Sequence, residues 1–304
     1  MAYNIKTDCP LYTQPKRKFG DRKDGYLEKA EPIPLITSNL FPGRTANEAY
    51  IQLKLDLTNV EKYLEKKNAE SDDDYKYKLF QILIMTMVKT IWLRPKLNKF
   101  YKRNRIYMRN HVSMAFNVKK EFSDEGEETL VVVKFDRDTT LEDVHNVLKR
   151  EITRGKTIDT DADSGTNGAM KVLSNMPRFL STFLFRIFRL MDNHGWVPQS
   201  LIADDVYHAS VLLSNVGSIG LEGGYHHLGN WGTNSVFVLI GEAMPMPFFN
   251  EDGSIEMRKG VHVGLTIDER LGDGYYYSKA IRLIKKLIEN PELLELPAQE
   301  DVDY

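Results

Sequence analysis

Alternating apolar and polar residues mark several short segments of this chain, and nearly continuous apolar residues mark others. Alternation is typical of a strand with one buried face, whereas a continuous apolar run fits a strand buried on both faces. Six segments have one of these patterns and are predicted to be strands: 51–57, 112–118, 130–135, 210–215, 235–241 and 261–267. We expect the second and third strands to pair across the acidic turn between them.

Longer segments between these strands, delimited by capping residues and prolines, predict helices. The first predicted helix begins after the capping residues Asp56–Asn59 and ends at Lys67, and the second spans Tyr75–Leu93 and is ended by Pro95. The third begins after Thr139–Thr140 and ends at Thr153, and the fourth begins near Tyr275 and ends before Pro291. Strands interleaved with helices are typical of an α/β protein, and the pattern favours a single domain over residues 1–304. Residues 1–43, rich in Lys, Pro, Gly and Asn, are expected to form an irregular N-terminal arm.

The composition bears on partners and location. The chain has 304 residues and a net charge of −2. It therefore lacks the excess of positive charge that is typical of proteins that bind nucleic acids. Its one cysteine, Cys9, can form neither an internal disulfide nor a cysteine metal cluster. The N-terminus lacks the apolar core of a signal peptide, and the apolar segments 79–93 and 179–191 are too short to span a bilayer. We therefore expect a cytoplasmic protein.

The last predicted strand ends in a charged turn, IDERLGDG at 267–274, and a helix and the tetrapeptide PELL at 291–294 follow. Upstream, the segment LLSNVGSIG at 212–220 contains the end of the predicted strand 210–215. This order of strand, charged turn with Asp-Gly, helix and PELL resembles the catalytic motif of the 2-oxoacid dehydrogenase acyltransferase core and of chloramphenicol acetyltransferase. The resemblance covers residues 44–155 and 208–296.

The resemblance implies a chloramphenicol-acetyltransferase-like fold, a two-layer sandwich in which helices pack on a mixed sheet. It also implies a homotrimer or a higher multiple, with the active site between subunits. Coenzyme A or acyl-CoA is then the expected substrate, together with a small-molecule acyl acceptor and without a metal. The sequence contains no lipoyl domain and no Ala/Pro-rich linker, so we expect no lipoyl group on this chain.

The motif departs from the family at one position, where Glu269 replaces the catalytic histidine. A histidine removes the proton of a thiol or hydroxyl near neutral pH, whereas an ordinary glutamate, with a pKa of ~4.3, is a much weaker base. Two interpretations follow. The chain is a stand-alone acyltransferase with an altered general base, or it is a catalytically inactive homologue that binds a ligand or acts as a structural subunit.

Three further residues are candidates for the chemistry. Ser214 matches the family's serine, whose hydroxyl stabilises the oxyanion of the tetrahedral intermediate. His226 and His227 lie in the glycine-rich connection 221–235, and either is a candidate for an imidazole that acts together with Glu269. The alternative is that both histidines belong to a solvated loop and hydrogen-bond the backbone.

Four residues are expected to shape the turn. By the resemblance, Asp273 pairs with Arg44 and holds the turn in place. The alternative is that the dipole of the following helix alone favours a carboxylate at Asp273. Gly274 is expected to supply the backbone angles of the turn. Arg270 lies beside Glu269, where its charge favours the ionised carboxylate.

Residues 157–207 exceed what the family places between its fourth helix and the serine strand, and large apolar residues recur there at spacings of three and four. One hypothesis is a helical hairpin that extends the core or the subunit interface. A second is a lid over an acyl-chain pocket, in which Phe179, Phe183 and Ile187 contact the chain. A third, less favoured, is a helix within 170–191 that lies at a membrane interface.

Overall fold

The computed structural model describes residues 4–119, 128–157, 175–198, 202 and 205–304. Its helices are α1 (Ile5–Asp8), α2 (Pro10–Thr13), α3 (Pro32–Leu40), α4 (Thr58–Ala69), α5 (Leu79–Leu93), α6 (Leu141–Thr157), α7 (Arg178–His194) and α8 (Gly274–Glu289). Its strands are β1 (Gly25–Glu28), β2 (Glu48–Asp56), β3 (Lys99–Lys102), β4 (Arg105–Arg109), β5 (Val112–Lys119), β6 (Glu128–Phe135), β7 (Val211–Asn215), β8 (Val236–Phe249) and β9 (Ile255–Asp268). Short 3₁₀ helices include Val206–His208, Val216–Ile219 and Glu269–Leu271.

The larger sheet has the strand order β2-β9-β8-β7-β5-β6 and is mixed. β7 pairs in parallel with β5 and β8, and the other neighbours are antiparallel. All six strands predicted from the sequence are found in this sheet. β5 and β6 pair as expected, although residues 120–127 of the turn between them lie outside the described part. β8 and β9 extend well beyond the predicted segments and form a long hairpin.

Helices α4, α5, α6 and α8 cover one face of this sheet and enclose the main core. Successive side chains of a strand point to opposite faces, so Val236 and Val238 of β8 enter this core while Phe237 points to the other face. α5 lies in the middle of the core, where every residue from Gln81 to Leu93 is buried. The predicted α/β sandwich, a mixed sheet packed by helices, is confirmed.

A glycine-rich segment, 221–228, crosses the other face of the sheet. A Cβ at Gly241 of β8 or at Gly264 of β9 would lie 1.9 Å from a backbone oxygen of this segment, so only glycine permits the approach. At the end of the segment, Leu228 donates its backbone N–H to Glu48 Oε1 of β2 at 2.6 Å. The segment therefore passes over β8 and β9 and reaches the edge strand.

The N-terminal arm is more regular than its composition predicts, because it contains α1, α2, β1 and α3. β1 pairs with β4, and β4 with β3, in a second antiparallel sheet. These strands are too short to show a clear alternation, and the partner of Gly25 is the distant Arg109. The pairing therefore depends on tertiary contacts that local patterns do not reveal.

The insertion 157–207 contributes α7, which forms where the apolar spacing predicts a helix. Residues 158–174, 199–201 and 203–204 lie outside the described part, so the expected hairpin falls partly there. No helix in the described part of the chain is long and apolar enough to cross a bilayer.

Candidate active site

A buried ion pair fixes the turn that ends β9. Arg270 donates from Nε to Asp268 Oδ1 at 2.7 Å and from Nη2 to Asp268 Oδ2 at 2.6 Å. Both side chains are buried, and the Arg270 guanidinium carbon lies 4.5 Å from the ring centroid of Tyr101. Tyr277 of α8 donates its hydroxyl to the Asp268 backbone oxygen at 2.9 Å. These contacts hold the strand end, the 3₁₀ helix Glu269–Leu271 and α8 in one arrangement.

Asp273 caps α8 and does not pair with Arg44. Its Oδ1 accepts the backbone N–H of Tyr276 at 2.7 Å, as an N-cap carboxylate does. The prediction of an Arg44–Asp273 ion pair is therefore wrong, and the helix-end alternative describes Asp273. The backbone angles expected of Gly274 are also not needed, because its φ is not positive and an added Cβ would meet no atom within 4 Å.

Arg44 is a buried cation whose hydrogen-bond partners are backbone carbonyl groups. Its guanidinium donates to the oxygens of Gly232 and Asn234. Burial lowers the pKa of Arg44 to about 10, and the charges of Asp268 and Asp192 oppose this decrease. Arg44 thus fastens the end of the 221–235 connection to the chain just before β2.

Glu269 lines a cavity of about 940 Å³ on the helix side of the sheet. Residues of β2, α3 and α8 form its walls, with Ala49 and Ile51 contributed by β2. The Glu269 side chain is exposed and has no hydrogen-bond or ion-pair partner among the described residues. Its neighbour Arg270 donates to Asp268 and not to Glu269, so Glu269 makes none of the hydrogen bonds described for the turn.

The same cavity is lined by more cations than anions. The side chains around it carry five positive and three negative charges. Lys29, Arg282 and Lys285 are exposed there and have no ion-pair partner in the part of the chain that the structure describes. A cavity of this size and charge suits a small ligand with anionic groups.

Ser214, His226 and His227 lie on the opposite face of the sheet from this cavity. In the register of β7 and β8, Ser214 is beside Leu239 and points away from the helices. The ring of His226 stacks on Phe237 at a centroid distance of 4.4 Å and on His227 at 4.5 Å. The His226 Nδ1 atom donates to the His227 backbone oxygen at 2.9 Å.

The structure therefore brings Ser214 and the two histidines to one face, and it places Glu269 at the end of the other. Neither imidazole hydrogen-bonds to Glu269 within the chain. The expected pairing is not formed by these residues of a single subunit, because the sheet lies between them.

A buried cluster of charges around Asp192 is the feature that the sequence did not indicate. Asp192, near the end of α7, accepts hydrogen bonds from Lys102, from His208 Nε2 at 3.2 Å and from the Gly232 backbone at 3.2 Å. His208 Nδ1 bonds to Asp205 Oδ2 at 2.9 Å. These partners lie as far as 90 residues from Asp192 in the chain, and no local motif joins them.

Burial alone would lower the pKa of His208, but its hydrogen bonds to Asp192 and Asp205 outweigh burial and raise it. Burial also lowers the pKa of Lys102 to about 8, although the charge of Asp192 opposes the decrease. The cluster ties the C-terminal end of α7 to β3 and to the connection before β7.

Phe179, Phe183 and Ile187 of α7 do not line the Glu269 cavity. They are 77%, 58% and 38% exposed, respectively. A shallower depression of about 630 Å³ lies at the start of α7, and side chains of α7 alone line it.

Comparison with known proteins agrees with the motif. Residues 198–296 match the family 2-oxoacid dehydrogenases acyltransferase (catalytic domain). The matched segment contains Ser214, the turn at Glu269 and the PELL tetrapeptide. No curated protein matches the sequence.

Solved structures of acyltransferase cores have the same fold. A probable dihydrolipoamide acetyltransferase from Listeria monocytogenes is 14% identical, with a TM-score of 0.56 over 90% of this chain and 96% of that one. The dihydrolipoamide acetyltransferase of Azotobacter vinelandii is 14% identical, with a TM-score of 0.57 over 93% and 98%. A truncated catalytic core from Thermoplasma acidophilum is 16% identical, with a TM-score of 0.53 over 87% and 98%.

At these identities the likeness to the solved structures establishes the fold, and the match over 198–296 adds the motif. The resemblance is thus confirmed: the chain has the fold of a 2-oxoacid dehydrogenase acyltransferase catalytic core and carries the sequence pattern of that acyltransferase family in residues 198–296.

Proposed function

We propose that this chain is a thioester-dependent acyltransferase in which Glu269 is the general base. It would take an acyl group from coenzyme A or another acyl thioester and pass it to a small-molecule thiol or alcohol. The observation that carries the proposal is the state of Glu269. A buried ion pair fixes its turn, while its own carboxylate has no partner among the described residues and faces a ligand-sized cavity.

The free carboxylate argues against a purely structural role. A glutamate that stabilises a turn is expected to accept a hydrogen bond from the backbone or from the neighbouring arginine. Here Asp268 accepts the bonds of Arg270, and Asp273 caps the helix. Two other carboxylates therefore do the structural work of the turn, and Glu269 is left available to a substrate.

A second subunit would complete the site. Ser214 and the two histidines lie on one face of the sheet and Glu269 at the end of the other, so one chain cannot bring them together. A ring of subunits, each contacting the next through different surfaces, would place the serine face of one against the Glu269 cavity of its neighbour. The separation of Ser214 from Glu269 within one chain therefore supports the homotrimer that the family resemblance implies.

The reaction then follows from the groups present. Glu269 removes the proton of the acceptor thiol or hydroxyl, and the resulting sulfur or oxygen attacks the thioester carbonyl. The Ser214 hydroxyl of the neighbouring subunit donates a hydrogen bond to the oxyanion. When the tetrahedral intermediate collapses, the carbon–sulfur bond breaks and the departing thiolate takes the proton back from Glu269.

The charges of the cavity suit the donor substrate. Coenzyme A carries phosphate groups, and the exposed Lys29, Arg282 and Lys285 line the cavity without ion-pair partners in the described part of the chain. Such cations attract an anionic carrier and bind its phosphates. The acyl thioester would then lie towards Glu269, with the carrier towards the basic residues.

The test is transfer of an acetyl group from acetyl-CoA to dihydrolipoamide or to a panel of small thiols and alcohols, followed by mass spectrometry of the products. Removing a general base typically costs ~10²–10⁴ in rate, so we expect Glu269→Gln to lose at least ~10² while it melts like the parent. Glu251→Gln is the matched control, because Glu251 is an exposed glutamate at the tip of the β8–β9 hairpin. Equal rates for the parent and Glu269→Gln would remove the proposed base.

The second candidate is a catalytically inactive homologue that binds an acyl thioester or serves as a structural subunit. The lack of an imidazole beside Glu269 within the chain favours it, because a carboxylate is a weaker base. Binding of coenzyme A without transfer to any acceptor, unchanged in Glu269→Gln, would select this function.

A further inference from the structure

Helix α7 is exposed along almost its whole length. From Arg178 to Met191 no side chain is buried, and the first buried residue is Asp192. Phe179, Phe183 and Leu190 are 77%, 58% and 54% exposed. Exposed apolar residues clustered on one element, unlike scattered ones, mark an interaction surface.

The helix has an apolar side and a basic side, and the exposed Phe185 lies next to the basic side. With 3.6 residues per turn, five apolar residues fall within a sector of roughly 100°: Phe179, Leu180, Phe183, Ile187 and Leu190. Three arginines fall within an adjoining sector of roughly 80°: Arg178, Arg186 and Arg189. An apolar face rich in Phe and Leu beside a basic face is typical of helices that lie in the plane of a membrane interface.

The charge of α7 selects the partner. Its one carboxylate, Asp192, is buried against Lys102 and His208, so the exposed side chains of the helix carry only positive charge. Two copies of α7 placed against each other would bring their arginines together, so the charge disfavours a contact of α7 with itself. A face that is apolar and positive together matches the headgroups and the upper acyl chains of anionic phospholipids.

A bound acyl chain is a poorer match for this surface. Ligand pockets bury most of a ligand's area, whereas the depression at the start of α7 is lined only by residues of α7 and has no opposing wall among the described residues. A planar bilayer needs no opposing wall.

We propose that α7 docks this protein on anionic phospholipid membranes by lying in the interface, with its Phe and Leu side chains among the acyl chains and its arginines at the headgroups. The buried contacts of Asp192 hold the C-terminal end of α7 to the protein body. Trp196 follows the helix, is 61% exposed and would lie at the headgroup level.

The test is sedimentation of the full chain with vesicles of phosphatidylcholine alone or of phosphatidylcholine mixed with anionic phosphatidylglycerol. We expect binding to the anionic vesicles that weakens as salt is added. Each arginine near an anionic surface contributes roughly five-fold, so Arg178→Gln/Arg186→Gln/Arg189→Gln should bind on the order of 100-fold more weakly. A blue shift of the tryptophan fluorescence should accompany binding and be absent in Trp196→Phe.

Two control variants separate specific from general effects. Lys16→Gln/Lys62→Gln/Lys66→Gln removes three exposed cations elsewhere and should bind almost as the parent does. Phe179→Ser/Phe183→Ser should lose binding, whereas Phe249→Ser, at an equally exposed phenylalanine of β8, should not. Three results would each overturn the proposal: no binding at high lipid, equal loss in both charge triples, or a change in oligomeric state of Phe179→Ser/Phe183→Ser as its only effect.

Discussion

Removing either partner of the ion pair between Asp268 and Arg270 should destabilise the fold by several kcal/mol. The side chains are 0% and 4% exposed, and two hydrogen bonds of 2.7 and 2.6 Å join them. Replacing Arg270 with alanine leaves the Asp268 carboxylate buried without its partner, which typically costs ~3–5 kcal/mol. At about 2 °C per kcal/mol for a chain of this size, the melting temperature should fall by roughly 6–10 °C.

The assay is thermal unfolding of Arg270→Ala, Asp268→Asn and Asp268→Asn/Arg270→Met. Each single variant leaves one buried polar group uncompensated, whereas the double variant removes both charges and should recover much of the loss. The control is Arg258→Ala, because the Arg258–Asp56 pair is 26% exposed on each side and should contribute about 1 kcal/mol or less. If Arg270→Ala melts within a degree or two of the parent, Arg270 does not hold the turn.

Three further predictions follow from the structure. In a double-mutant cycle, the losses of unfolding free energy caused by Arg44→Ala and Asp273→Ala should add, because Arg44 binds carbonyl groups and Asp273 caps α8. A coupling energy above about 1 kcal/mol would show instead that the two residues form an ion pair. The pKa of His208 is raised in the folded state, so the contribution of its protonated ring to stability is complete below about pH 6 and is lost as the pH rises through the folded pKa. The difference in unfolding free energy between the parent and His208→Gln should therefore shrink as the pH rises from about 6 through that pKa. A difference that grows with pH would contradict the buried imidazolium. Light scattering should give the mass of three chains or a multiple of three, and a stable monomer would leave Glu269 without the serine of a neighbour.

Most of the larger sheet could be predicted from the sequence because its strands carry their own signal. The alternation of 51–57 and the apolar runs at 210–215, 235–241 and 261–267 each reflect which faces are buried. The second sheet could not, because its four- and five-residue strands are too short for a pattern and depend on partners far along the chain.

Of the candidate site, the charged turn that ends β9 could be predicted from the sequence. The partner of each charged side chain in that turn could not be. Asp268 and Arg270 are two residues apart and form an ion pair within the turn. Arg44 instead donates hydrogen bonds to the backbone oxygens of Gly232 and Asn234. Which acid meets which base is decided by side-chain direction at the end of β9, and sequence spacing does not contain that information.

The same limit applies to the histidines. His226 and His227 follow Ser214 closely in sequence, and the segment that carries them crosses the sheet because Gly241 and Gly264 allow the approach. That crossing places the rings on the face opposite Glu269. A prediction based on their position in the chain could not distinguish the two faces.

Subunit complementation tests the central claim most directly, because the account requires Glu269 of one subunit and Ser214 of the next at a shared site. Glu269→Gln and Ser214→Ala are each expected to be nearly inactive as pure assemblies. After the two are unfolded, mixed equally and refolded together, about a quarter of the sites in a trimer should receive both intact residues by random assembly. Recovery of about that fraction of the parent's acyl-transfer rate is the predicted result, whereas a mixture no more active than its two components would contradict the account.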